Sequence, residues 1–356
     1  MSSNQDLPSI PSSLPQPSTR LESDQETDLP PPEASGLRVG GRRSWLGCFS
    51  RFLHLDHFSA SPSMIWFFPA YVIDWGLGLV AVVVAKLYLE TAKPYYRDLS
   101  VYYANRDYHW DLRAEQVSDE WLHHLSVTLP LILLIVLTLV AYPMGGMHLI
   151  QTLHHSLLGL LTSHAISIIP TDLLKTWVGA LRPDFFSRCT YSIESNVCKP
   201  KFHNIKLMED GMKSFPSGHC TNAFAGLGFL ALWLAGRNGA FAIGGDGLRA
   251  GGPFQSRLLK GFIASFWLLV ALWIALTRIQ DHRHHPQDVI AGSLIGLISA
   301  FIAYLLYFPS PFDGSILTSQ MGKPRLVYDH DPSSPHKQAT TDVHTAAMPT
   351  VLVETV

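Results

Sequence analysis

Three short clusters in this chain combine residue types that do chemistry. KTWVGALRP, at 175–183, sets Lys175 and Arg182 seven residues apart, so both project from one face at the end of a helix. Pro183 disfavours helical geometry at Arg182 and ends the helix there. FPSGHCTNAF, at 215–224, places Ser217 and Gly218 where a helix begins, and His219 follows at once. The free N–H groups of a helix N-terminus make an anion site. TRIQDHRHHPQDV, at 277–289, closes one helix with Arg278 and opens another with His284 and Asp288, four apart, so the carboxylate reaches the imidazole. Pro286 is tolerated in a first helical turn.

Taken singly, each cluster has an ordinary reading. A Lys and an Arg near a helix end anchor it at a membrane interface, and Ser-Gly caps a helix. His282, His284 and His285 read as a solvated turn or a metal site. Together, two arginines, a lysine, a hydroxyl and a helix N-terminus suit a dianionic phosphate. Two histidines beside it offer a nucleophile and an acid near neutral pH.

The elements that must position these clusters are apolar. The chain has 356 residues, 47% hydrophobic and only 15% charged, well below the ~25% of a soluble domain. Its net charge of −2 supplies no basic excess for a nucleic-acid partner. Segments near 65–88, 123–142, 148–171, 218–236, 258–277 and 288–310 each approach the ~20 apolar residues of a membrane span. This predicts an all-α, polytopic membrane protein with six transmembrane helices at 64–312. Asp74 and Lys86 lie near the ends of the first span and snorkel to the interface. His154, His155 and His164 lie inside the third. Residues 1–43 and 313–356 are polar and read as disordered tails, with no secretory leader in the first. Residues 44–63 read as an interfacial amphipathic helix, where Cys48 is a free thiol or a palmitoylation site. Of the 34 charges in 64–312, 28 fall in 86–120, 172–213 and 278–288, loops that share one side of a six-span protein. Charge alone leaves the orientation open. Four cysteines at uneven spacing give no disulfide framework and no zinc pattern.

These motifs resemble the type 2 phosphatidic acid phosphatase superfamily, and within it the lipid phosphate phosphatases. Lys175, Arg182 and Pro183 match its first signature, Pro216 to His219 its second, and Arg278, His284 and Asp288 its third, in order and at the matching helix ends. The resemblance covers roughly 65–310. RPDFFSRC and KSFPSGH also look like the eukaryotic diacylglycerol pyrophosphate and phosphatidate phosphatase branch. Thr277, Cys220 and Thr221 depart from the common pattern, as does Pro286, where Trp is frequent.

The resemblance implies hydrolysis of lipid phosphates such as phosphatidate and diacylglycerol pyrophosphate, with no cofactor and no Mg²⁺. It implies that His284 attacks phosphorus and Asp288 orients it. His219 then protonates the leaving group, while Lys175, Arg182, Ser217, Gly218 and Arg278 hold the phosphate. Family topology puts the charged loops in a lumen or outside, in an endomembrane or the plasma membrane. There Cys189 and Cys198 either pair or stay free. Rival readings are a sphingosine-phosphate or dolichyl-pyrophosphate phosphatase of the same superfamily, an anion transporter, a pseudoenzyme, and a metal-dependent phosphatase built on DHDPS at 329–333. Oligomeric state and organelle are not legible.

Overall fold

The computed structural model describes residues 69–142, 147–243, 256–313 and 323–325. The tail at 1–43, the interfacial helix at 44–63 with Cys48, and most of 313–356 lie outside the described residues. Six long helices carry the fold: α1 Pro69–Leu89, α2 Asp119–Ala141, α3 Met147–Val178, α4 Gly218–Asn238, α5 Arg257–Gln280 and α6 Pro286–Tyr307. In lipid every backbone N–H and C=O must be satisfied internally, which is why apolar segments of this length become helices. A short antiparallel hairpin, β1 Cys189–Ser192 with β2 Val197–Pro200, sits between α3 and α4.

Among the described residues five helices, α1, α2, α3, α5 and α6, are long and apolar enough to cross a membrane. The fourth expected span, α4, differs because it is the central helix. It packs on α3, α5 and α6, and 15 of its 21 residues are buried. A helix surrounded by protein needs little lipid-compatible surface, so it can carry Gly, Thr, His and Asn. The outer helices invert the soluble pattern. In α6, Ile290, Leu294 and Ile298 are exposed where lipid would lie, while Gly292, Gly296, Ala300 and Ala303 face inward.

Those small residues set the geometry of the site. With little hydrophobic drive between helices in lipid, close backbone packing through small side chains holds a bundle together. A Cβ on Gly292 would run into the Ser217 carbonyl, and one on Gly296 would meet the Thr221 carbonyl and Phe224. The glycine pair thus brings α6 against the first turns of α4. The Ser217 N–H donates to the Asp288 carbonyl at 3.0 Å, tying the two helix starts together.

The loops at this end knit into a cap. Tyr95 N–H bonds the Thr176 carbonyl, Trp110 N–H the Pro183 carbonyl, and Ser214 N–H the Ala180 carbonyl, all within 2.8–3.1 Å. Leu99, Leu181, Phe185, Phe186 and Met212 form a small apolar core inside the cap. A Cys189–Cys198 disulfide joins the hairpin strands beside that core, so the pairing left open by sequence is made. The charge asymmetry read from the sequence is this cap.

Candidate active site

Lys175, Ser217 and Gly218 come together first. Lys175 lies in the last turn of α3, and its ammonium sits over the start of α4. A Cβ on Gly218 would lie 2.7 Å from Lys175 Nζ, so only glycine leaves the ammonium its place. The nearest carboxylate to Lys175 is Asp172, at 3.7 Å. Ser217 is the N-cap residue of α4, but its Oγ makes no capping bond. Among the described residues that hydroxyl is buried without a hydrogen bond, and the Cys220 thiol is a weak neighbour. A cation, an uncommitted hydroxyl and free helix N–H groups therefore meet at one point, which is the composition of an anion site.

Arg182 reaches the same place by a route that differs from the one expected. The sequence put Lys175 and Arg182 on one helix face, with Pro183 ending the helix. Instead α3 stops at Val178, because Gly179 adopts φ 56°, the left-handed conformation that closes helices. Arg182 lies on the loop beyond. Its Nε donates to the Asp210 carbonyl at 3.0 Å and its Nη2 to Asp210 Oδ1 at 2.7 Å, leaving Nη1 uncommitted.

Asp210 also accepts from Arg188 Nη1 at 2.8 Å. Burial pushes the Asp210 carboxyl up, but Arg182 and Arg188 overcome this and hold it well below the usual carboxylate range. Arg188 is enclosed, with Asp184 gripping Nε and Nη2 at 2.9 and 2.8 Å. The alternation continues from Asp184 to Arg283 at 3.6 Å, Arg283 to Glu115 at 3.3 Å, Glu115 to Arg278 at 3.1 Å and Arg278 to Asp281 at 3.0 Å. Arg278 is 1% exposed and is also held by Thr277 Oγ1. Six further charges, Asp210, Arg188, Asp184, Arg283, Glu115 and Asp281, thus brace Arg182 and Arg278.

His284 lies between α5 and α6, and 4% of its surface is exposed. Its Nδ1 is 2.8 Å from the Ser214 carbonyl. A carbonyl only accepts, so Nδ1 carries the proton and Nε2 keeps the lone pair. Burial lowers the imidazole to about 4; the Asp288 carboxylate opposes this, and Arg182 and Lys175 add to it. His284 is therefore neutral at physiological pH. The His284–Asp288 pair expected from the i, i+4 spacing is present at ion-pair range, with Nδ1 and Oδ2 3.8 Å apart, while the closer partner of Nδ1 is the Ser214 carbonyl. Asp288 also caps α6, accepting from the His285 N–H at 2.9 Å, and takes the Ser214 hydroxyl at 2.6 Å. Pro286 causes this by occupying the first turn, where no N–H is needed and His285 becomes the N-cap. The three histidines of this turn meet different partners: His282 stacks on Trp110 at 4.2 Å, His284 meets Ser214, and His285 caps α6. Among the described residues, no three His, Cys, Asp or Glu side chains group as metal ligands.

His219, in the first turn of α4, donates from Nε2 to the Val117 carbonyl at 3.1 Å. Glu115 and Asp119 each lie 3.7 Å from that nitrogen. It also feels the charges of Arg278 and Arg182 and lies within electrostatic reach of His284, which places it at the same site.

With this geometry in hand, comparison with known proteins is direct. Residues 156–311 match the model of the PAP2 superfamily. The chain is similar to Lipid phosphate phosphatase 2 of Arabidopsis thaliana, 34% identical over 247 residues, covering 67% of this chain and 78% of the relative. The chain belongs to the PAP2 superfamily. It is also similar to Diacylglycerol pyrophosphate phosphatase 1 of Saccharomyces cerevisiae, 38% identical over 210 residues, or 56% of this chain and 67% of that one. Probable diacylglycerol pyrophosphate phosphatase 1 of Schizosaccharomyces pombe is 35% identical over 208 residues, with 56% and 67% covered. No solved structure shows a significant match. The matched segment of the PAP2 superfamily spans all three clusters.

Four residues at this site escaped the motif reading: Ser214, Glu115, Asp210 and Arg188. Arg188 carried a faint signal, being four residues from Asp184. Ser214 meets His284 through its main chain, Glu115 lies 163 residues from Arg278, and Asp210, at the end of the short helix Ile205–Asp210, lies 28 residues from Arg182, so spacing could not reveal them.

Proposed function

We propose that the protein is a multi-pass membrane phosphatase of lipid phosphates, with phosphatidate and diacylglycerol pyrophosphate as its substrate class. The observation that carries this is the juxtaposition at the start of α4. The Lys175 ammonium lies over Gly218, next to the uncommitted Ser217 hydroxyl, and its charge reaches a neutral His284 whose Nε2 holds the lone pair. The names of the relatives supply the lipid. The position of the site, where apolar helices end, suits a headgroup phosphate.

In this reading Lys175, Arg182 and Arg278, with Ser217 and the Gly218 N–H, bind the phosphoryl oxygens. Phosphoryl transfer depends chiefly on positioning and charge stabilisation, which fixed cations supply. The His284 Nε2 lone pair attacks phosphorus and the bond to the leaving oxygen breaks. That oxygen keeps the electron pair and takes a proton from His219. A water then gives its proton to His219 and attacks the phosphohistidine. The P–N bond breaks, inorganic phosphate leaves, and His284 is again neutral. Asp288 and Ser214 act together behind His284, one through its carboxylate and the other through its carbonyl. The Cys189–Cys198 disulfide in the cap supports a lumenal or extracellular site, since disulfides persist in oxidising compartments.

The test is phosphate release by purified protein in magnesium-free mixed micelles of diacylglycerol pyrophosphate, phosphatidate, lysophosphatidate and sphingosine phosphate. Chelator-resistant turnover of the first two, absent in His284→Ala and depressed in His219→Ala, is expected. Full activity in His284→Ala sinks the assignment. Phosphate flux into vesicles without hydrolysis would make the protein a transporter.

A further inference from the structure

The segment 115–119 belongs to none of the three motif clusters, yet it wraps His219. It joins the cap to α2 and is itself anchored, because Gln116 donates its N–H and its side-chain amide to the Asp281 carboxylate at 2.9 and 2.8 Å. From this fixed segment alternate residues turn to His219: Glu115 at 3.7 Å, the Val117 carbonyl at 3.1 Å and Asp119 at 3.7 Å, all measured to Nε2. Glu115 does two further things. Its Oε2 holds Arg278 Nη1 at 3.1 Å, and its Oε1 lies 3.3 Å from Arg283.

We propose that this segment is the positioning element of His219, with Glu115 coupling proton donation to phosphate binding. The Val117 carbonyl fixes the ring and commits Nε2–H, leaving the other ring nitrogen to carry the transferred proton. Glu115 and Asp119 supply the negative charge that favours the protonated ring. The groups facing His219 from its other neighbours are Arg278 of α5, Arg182 of the loop after α3, and His284. The two arginines oppose protonation until a phosphate dianion neutralises them. Glu115 shares its charge between Arg278 and His219, so phosphate drawn to Arg278 leaves more of that charge for the imidazole. The acid is then protonated when substrate is present.

This rests on the reading of His219 as the acid, and the test separates the two. The pH–rate profile of the full chain in mixed micelles is measured for Glu115→Gln, Glu115→Asp and Asp119→Asn, on phosphatidate and on diacylglycerol pyrophosphate. Loss of the carboxylate in Glu115→Gln should lower kcat on phosphatidate by about tenfold or more and move the alkaline limb down by about one pH unit. Diacylglycerol pyrophosphate should suffer less, because its phosphate leaving group needs less protonation than an alkoxide. Glu115→Asp should return the limb towards its original place. Asp119 is 93% exposed, so Asp119→Asn folds normally and should give a smaller shift in the same direction. A limb unmoved in both Glu115→Gln and Asp119→Asn overturns the proposal. So does a change confined to KM, which would leave Glu115 as a support of Arg278 alone. If Glu115→Gln does not accumulate in membranes, an unmoved limb in Asp119→Asn is decisive against it. Wild-type kcat in His219→Ala would instead remove the underlying reading.

Discussion

His155 of α3 and His284 are both enclosed histidines, and each pairs Nδ1 with a main-chain carbonyl, at 2.7 Å to Gln151 and 2.8 Å to Ser214. They part at the other nitrogen. His155 Nε2 is met by the Tyr71 hydroxyl at 2.8 Å, and the ring packs edge-on against Tyr71, His154 and Tyr307. His284 Nε2 makes no hydrogen bond among the described residues, and the charges of Arg182 and Lys175 reach its ring. The same carbonyl device thus sets the tautomer in both places. In one it completes a closed, structural contact inside the membrane; in the other it leaves a lone pair beside an anion site. Burial alone does not distinguish the two histidines. The open nitrogen beside cations does, and on it rests the proposal that His284 is the nucleophile.

The comparison breaks most sharply at His284 itself. His284→Ala should lower kcat by on the order of 10⁴-fold or more, as loss of a nucleophile does, read by phosphate release. The same neutral imidazole sets the low-pH behaviour. Because its value is lowered to about 4, kcat/KM should hold down to that region and then fall with each further unit as the ring protonates. An acid limb near 6.5 would show that His284 is not so enclosed. Next in size is Arg182→Lys, which keeps the charge but loses the planar fork anchored on Asp210. A loss of about 10²-fold in kcat/KM is expected. Gly218→Ala should cost about tenfold, some 1.4 kcal/mol, by displacing the flexible Lys175 ammonium rather than the backbone. The smallest effect belongs to the other histidine. His155→Phe should leave kcat within about twofold while lowering stability by about 1 kcal/mol through the lost Tyr71 bond. A large loss of kcat in that variant would dissolve the contrast.

Much of the fold was legible. Six long helices stand close to where apolar runs placed them, and the cap holds the loops that charge counting put on one side. The errors are local and instructive. The end of α3 was read from Pro183, a residue that forbids helix at its neighbour, but Gly179 had already turned the chain. The central position of α4 was invisible, since the packing of α3, α5 and α6 around it decides what surrounds it. The three clusters were read as one phosphate site, and the structure brings Lys175, Arg182, Ser217, Gly218, His219, Arg278 and His284 to one end of the bundle. Asp288 arrives there as well, yet turned to α6 and Ser214.

Composition and spacing by themselves determined that this chain builds a helical membrane bundle with a charged end, because in lipid a continuous apolar run of about 20 residues satisfies its backbone polar groups within itself only as a helix. They also single out the side chains proposed to carry the chemistry, since Lys, Arg, Ser and His at helix ends suit a phosphate. What holds those side chains was decided by tertiary structure alone. Ser214 acts on His284, and Val117 on His219, through main-chain carbonyls that every residue possesses, so the sequence bears no mark of them. The braces of Arg182 and Arg278 come from Asp210 and Glu115, which only folding brings alongside.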